Sequence, residues 1–121
     1  MTSALCSIAV GRLMGLDLES IARALENYQP VPMRCEVLEM RDATIINDTY
    51  NASPLAMQAA LELIHDFDTA RRRIVVCGDM AELGDQSAML HWQVGRQIIT
   101  LGGAEVLLAC GRFARYVADG A

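Results

Sequence analysis

The run Thr44-Ile45-Ile46-Asn47-Asp48-Thr49-Tyr50-Asn51-Ala52-Ser53-Pro54 changes character twice within one short stretch. It opens as apolar, β-branched strand material, turns polar from Asn47 to Asn51, and closes on Ser53 and Pro54, an N-cap followed by a first-turn proline. A strand that passes through a polar loop into a capped helix is half of a βα unit. Downstream the same alternation repeats. Met57, Ala60, Leu61 and Ile64 form one face of the helix that Ser53 opens, and Ile74 to Cys77 is a short apolar run of the kind found in buried strands. A second helix spans about Ser87 to Leu101, with Leu90, Val94, Ile98 and Leu101 inward and Gly102-Gly103 as its stop. Val106 to Cys110 is the next strand, and a third helix starts near Arg112.

Upstream, Cys35 to Met40 and Thr44 to Asn47 flank a tight turn at Arg41-Asp42. The sequence of elements predicts an α/β fold, with parallel strands, right-handed crossovers and helices covering the sheet. Strands of such a sheet leave at one edge. The loops Asp48–Asn51, Gly78–Met80 and Gly111-Arg112 are therefore expected to gather there, where open α/β sheets bind ligands. Further upstream, residues 3–14 form an almost wholly apolar helix stopped by Gly15. A second helix is capped by Asp17 and carries Leu18, Ile21, Ala22 and Leu25 on one face. Gln29-Pro30-Val31-Pro32 reads as a stiff extended linker, which divides the chain into residues 1–29 and 30–121.

Composition narrows the function. The chain has 121 residues, 53% hydrophobic and 21% charged, and a net charge of -5, which opposes any broad electrostatic hold on nucleic acid or an anionic bilayer. All its basic residues are Arg, so it supplies neither a Schiff-base amine nor the lysine of a phosphate-binding loop. Cys6, Cys35, Cys77 and Cys110 are far apart, three of them in apolar runs, and read as reduced core thiols of a cytoplasmic protein. No basic leader precedes an apolar stretch and no run of about 18 apolar residues occurs, so no membrane insertion is expected.

The polar loop after Ile46 is the leading candidate site. Asp48 can accept hydrogen bonds from ribose hydroxyls, Tyr50 offers a flat face and a hydroxyl, and Asn51 offers donors and acceptors together. The plainer reading is that Asp48 and Asn51 shape a turn. His91-Trp92 reads as a capped surface histidine beside a packed tryptophan, His65 as a partner of a helix dipole, and Arg71-Arg72-Arg73 as a solvated turn. Gly102-Gly103 and Gly111 compose no dinucleotide fingerprint.

Asp48 to Pro54 resembles the D-[ST]-Y-N-A-[NS]-P signature of the C-terminal domain of the Mur ligases. Pro32-Met33-Arg34-Cys35-Glu36 is similar to the family's P-[GM]-R-x-E, and Gly78-Asp79-Met80-Ala81-Glu82-Leu83-Gly84 to its G-D-M-x-E-L-G loop. The resemblance covers essentially the whole chain and points to the branch that adds D-alanyl-D-alanine to UDP-N-acetylmuramoyl-tripeptide in peptidoglycan synthesis. It implies a Rossmann-like three-layer domain with a mostly parallel sheet, truncated at Ala121, preceded by the last two helices of a central ATPase domain. It also implies ATP as the driving substrate, with Mg2+ held mainly by that central domain. Arg34, Asp48, Tyr50 and Asn51 match ATP-binding positions. Asp79, Met80 and Glu82 fall on the loop expected to hold the dipeptide, with no catalytic residue and no metal ligand in this stretch. A monomeric piece, inactive alone, is the expectation. The rival readings are another Mur-type ligase, a non-catalytic α/β interaction module, and a phosphoacceptor receiver at Asp48, for which the chain lacks the required lysine.

Overall fold

The computed structural model describes residues 2–29, 31–67 and 72–121. The chain divides into two compact units, residues 1–31 and 32–121. Pro30 of the expected linker and Arg71 of the arginine run lie outside the described residues.

In the first unit α1 spans Thr2–Leu13 and α2 spans Leu18–Glu26. Gly15 turns the chain between them with a φ of 84°, and Asp17 caps α2 by accepting the Ser20 N–H at 2.7 Å. Ile21 is buried against Gly11, where any Cβ would crowd its side chain. Leu5, Leu13 and Met14 remain exposed, so the apolar α1 is covered on few of its faces within this unit.

The second unit runs β1 (Glu36–Glu39), β2 (Thr44–Asn47), α3 (Pro54–Asp66), β3 (Ile74–Cys77), a 3-10 turn at Gly84–Gln86, α4 (Ser87–Thr100), β4 (Val106–Ala109) and α5 (Ala114–Gly120). Ser53 caps α3 through the Ala56 N–H, with Pro54 in the first turn as expected. Strands β3 and β4 pair in parallel, Ile74 opposite Val106 through Cys77 opposite Ala109, around the α4 crossover. Strands β1 and β2 pair antiparallel, Glu36 opposite Asn47, through a turn closed by the Met40 N–H on the Ala43 carbonyl at 2.8 Å.

The expectation of one sheet is corrected in its detail: among the described residues each sheet has two strands, and β2 does not pair with β3. The four-residue turn between β1 and β2 favours their local antiparallel pairing.

The core joins Leu61 of α3, Val75 and Cys77 of β3, Met80, Val94 and Ile98 of α4, Ala104 and Val117 of α5. Ile98 and Leu61 are essentially fully buried, each contributing about 1.5–3 kcal/mol of apolar transfer. Helices α4 and α5 meet at their backbones. Gly95 faces the Val117 carbonyl and Gly120 faces the Trp92 carbonyl, leaving no room for a Cβ at either glycine. The reading of β3 and β4 as strands buried on both faces is also corrected: Val75 and Cys77 enter the core, but Ile74 (54%), Val76 (68%) and Leu108 (55%) stay exposed. Period-two alternation places them on the opposite face from the core. Of the four cysteines, all of them free, only Cys77 is buried; Cys6, Cys35 and Cys110 are exposed, against the expectation of core thiols.

Candidate functional site

Two groups of polar residues form at strand exits. The first joins the segment before β1 to the loop after β2. Met33 and Cys35 both adopt left-handed backbone, φ 63° and 48°, uncommon conformations for residues with side chains. They flank Arg34, whose guanidinium carbon lies 4.0 Å from the centre of the Tyr50 ring, a cation–π contact.

Three hydrogen bonds hold this crank. Asp48 Oδ1 accepts the Cys35 N–H at 3.0 Å, the Met33 carbonyl accepts the Tyr50 N–H at 3.1 Å, and Glu36 Oε2 accepts the Met33 N–H at 3.0 Å. Glu36 Oε2 also accepts from Asn47 Nδ2 at 3.1 Å, which ties the strained turn to the end pair of the hairpin. Asp48 Oδ2 takes no hydrogen bond from any described residue and is free to accept from a ligand hydroxyl. Partial desolvation by the surrounding turn and the Asp48 carboxylate beside it push the thiol of the exposed Cys35 upward, away from reactive thiolate. Asn51 is exposed, with Oδ1 on the Ala52 N–H at 3.0 Å.

The second group joins the loops after β3 and β4. Asp79 accepts the Arg112 N–H on Oδ2 at 2.7 Å and the Phe113 N–H on Oδ1 at 2.9 Å. The Phe113 amide bond is the main reason its carboxyl is held below the ordinary carboxylate value, and the Arg112 amide adds to it. Gly111, at φ 110°, lies against that carboxylate, so a Cβ there would collide with it. Asp79 therefore acts as a loop anchor in this structure, with both oxygens engaged by backbone.

Met80 turns its side chain into the core, 3% exposed, and its N–H donates to His91 Nε2 at 2.9 Å. Met80, named with the loop expected to hold the dipeptide, therefore has its side chain in the core rather than on the surface of that loop. Glu82 is exposed in left-handed backbone at φ 61°, the acidic side chain of this loop that points to solvent.

Among the described residues no hydrogen bond or ring contact joins the two groups. They share a support. Ala52, one residue beyond the first loop, and Leu83 of the second both pack against the core that contains Met80. Sequence reasoning gave no role to Glu36 or Asn47, although Glu36 stood inside a quoted motif. It placed His91 at the surface, whereas the ring is 1% exposed. Trp92 is 39% exposed, with the Arg96 guanidinium over its ring. No helix among the described residues is long and apolar enough to cross a membrane.

Residues 33–119 match the family model described as Mur ligase, glutamate ligase domain. The chain is 32% identical over 120 residues to the UDP-N-acetylmuramoyl-tripeptide--D-alanyl-D-alanine ligase of Bacillus subtilis (strain 168), covering 98% of this chain and 26% of that protein. A crystal structure of MurF from Acinetobacter baumannii superposes with a TM-score of 0.86 at 32% identity, covering 98% of this chain and 25% of that one. The MurF ligase of Thermotoga maritima in complex with ADP superposes at 0.74 with 29% identity, covering 91% of this chain and 25% of the other. The chain thus spans about a quarter of the length of the relatives it matches.

Proposed function

Because the chain belongs to the Mur ligase family, we propose that it is one wall of the nucleotide and dipeptide cleft of an ATP-dependent ligase. That ligase joins D-alanyl-D-alanine to UDP-N-acetylmuramoyl-tripeptide in peptidoglycan synthesis. Residues 30–121 belong to the C-terminal domain and residues 1–29 to the last helices of the central domain. An ionised carboxylate is a poor electrophile. In the proposed reaction ATP transfers its terminal phosphoryl group to the tripeptide carboxylate, releasing ADP. The dipeptide amine then attacks the acyl phosphate, forms the amide bond and expels phosphate.

The observation that carries this reading is the first polar group. Arg34 is exposed and stacked on Tyr50, and its chain neighbour Cys35 donates to Asp48, whose other carboxylate oxygen no described residue engages. That pairing of a guanidinium for phosphate with an acceptor for ribose suits a nucleotide. The relative solved with ADP supports it. Asn51 lines the same loop. On the second loop Glu82 is the acidic group available to an ammonium, and Asp79 contributes through the shape of the loop it anchors.

Among the described residues no cluster of three or more His, Cys, Asp or Glu side chains is placed to hold a metal ion. Magnesium, the ion suited to phosphoryl transfer, belongs in this proposal mainly to the central-domain segment that carries the phosphate-binding loop.

The experiment is Asp48→Ala in the complete ligase. Loss of a hydrogen bond to a charged acceptor is worth ~1.5–3 kcal/mol, so the KM for ATP is expected to rise about ten- to a hundredfold with dipeptide KM little changed. An ATP KM equal to that of the unaltered enzyme removes Asp48 from the nucleotide site.

A further inference from the structure

His91 lies outside both polar groups and yet touches the second from beneath. It is the buried polar residue of the described core, and three contacts define its chemistry. Nδ1 lies 2.6 Å from the Ser87 carbonyl one turn back on α4, and Nε2 lies 2.9 Å from the Met80 amide nitrogen. A carbonyl only accepts and an amide N–H only donates, so Nδ1 carries the proton and Nε2 presents the lone pair. The ring also stacks on Phe113, centroids 4.7 Å apart and planes 22° from parallel. Phe113 is the residue whose N–H Asp79 holds, and Met80 is the residue that follows Asp79.

We propose that His91 is a positioning residue. In its neutral, Nδ1-protonated form it locks the Asp79–Glu82 turn against the Gly111–Phe113 turn, and so sets where Glu82 is presented to the incoming amine. The inference rests on the dipeptide reading of this loop given above. Glu82 holds a backbone conformation that persists only where its surroundings over-determine it, and the imidazole fixes the amide two residues before it. Phenylalanine at 91 preserves the stack but leaves the Met80 N–H buried with no acceptor. Glutamine restores a carbonyl oxygen at about the reach of Nε2.

The chain contains two histidines, so His65→Gln leaves His91 as its single imidazole for ¹⁵N NMR. At neutral pH the expected spectrum shows Nδ1 protonated and Nε2 bare, with a coupling from Nε2 to the Met80 amide. The opposite tautomer, or the absence of that coupling, overturns the proposal. In the complete ligase, H91F is expected to raise the dipeptide KM about tenfold, the size of one hydrogen bond lost to a buried donor, while the ATP KM stays put and H91Q recovers most of the loss. Equal losses in H91F and H91Q overturn it. Should H91F not fold, H91N replaces it, since asparagine keeps the donor toward Ser87 but has no atom near Met80; H91Q is again expected to be the better enzyme, and the reverse order overturns the proposal. If Glu82→Gln leaves the dipeptide KM unmoved, the dipeptide reading of the loop falls, while the tautomer and the Met80 coupling still decide the role of His91.

Discussion

Asp79 illustrates how one carboxylate is legible in type and not in partner. An acidic residue after an apolar strand reads equally as a ligand contact or an anchor, and the amides that decide the matter lie 33 and 34 positions downstream. His91 is a second case: composition reads it as a surface histidine, and only the fold brings the Met80 amide to its Nε2. For Asp79 the pKa has a clear consequence. Its folded value is depressed, chiefly by the Phe113 amide, from the ordinary carboxylate value of 3.8. Its contribution is therefore present above the unfolded pKa and is lost as pH falls through the lower folded one. Asp79→Asn is expected to lower the thermal midpoint at neutral pH and to flatten the acid side of the stability profile below about pH 4. A mutant profile parallel to that of the wild type down to acid unfolding would exclude the anchor.

Elements were legible wherever a local signal set their limits. Ser53-Pro54 opens α3 and Asp17 opens α2 where expected, because capping is written in adjacent residues. Strand pairing was legible between neighbours joined by a tight turn or a helical crossover, β1–β2 and β3–β4, but the separation of β2 from β3 was not, since no single run sets it. The exposed flank of β3 escaped for a related reason: four consecutive apolar residues read the same whether one face is covered or two. The α4–α5 crossing was invisible as well, because Gly95 looks like an unfavourable helix residue until Val117 is placed beside it. Gly95→Ala forces backbone against a Cβ and is expected to cost about 1–3 kcal/mol in chemical denaturation. Ser53→Ala, which removes a cap and moves nothing, is expected to cost about 1 kcal/mol. A Gly95→Ala protein as stable as the wild type would mean that the two helices separate without penalty.

For the whole molecule, alternation of strand and helix led to the right class, and the two compact units divide between Val31 and Pro32. The candidate nucleotide loop was legible because its polar residues interrupt an apolar pattern; the crank at Met33–Cys35 that presents Arg34 was not, since nothing in those side chains calls for left-handed backbone. The buried cluster of the second unit draws only on residues between Leu61 and Val117. Residues 32–121 made alone are therefore expected to keep their circular dichroism and a single cooperative thermal transition, and a flat, gradual melt would contradict this. The bare outer side of β3 and β4 also governs how such a melt is followed. Ile74, Val76 and Leu108 give a fluorescent apolar dye somewhere to settle while every strand is still paired, so dye brightness will report the native surface of this chain as readily as its collapse.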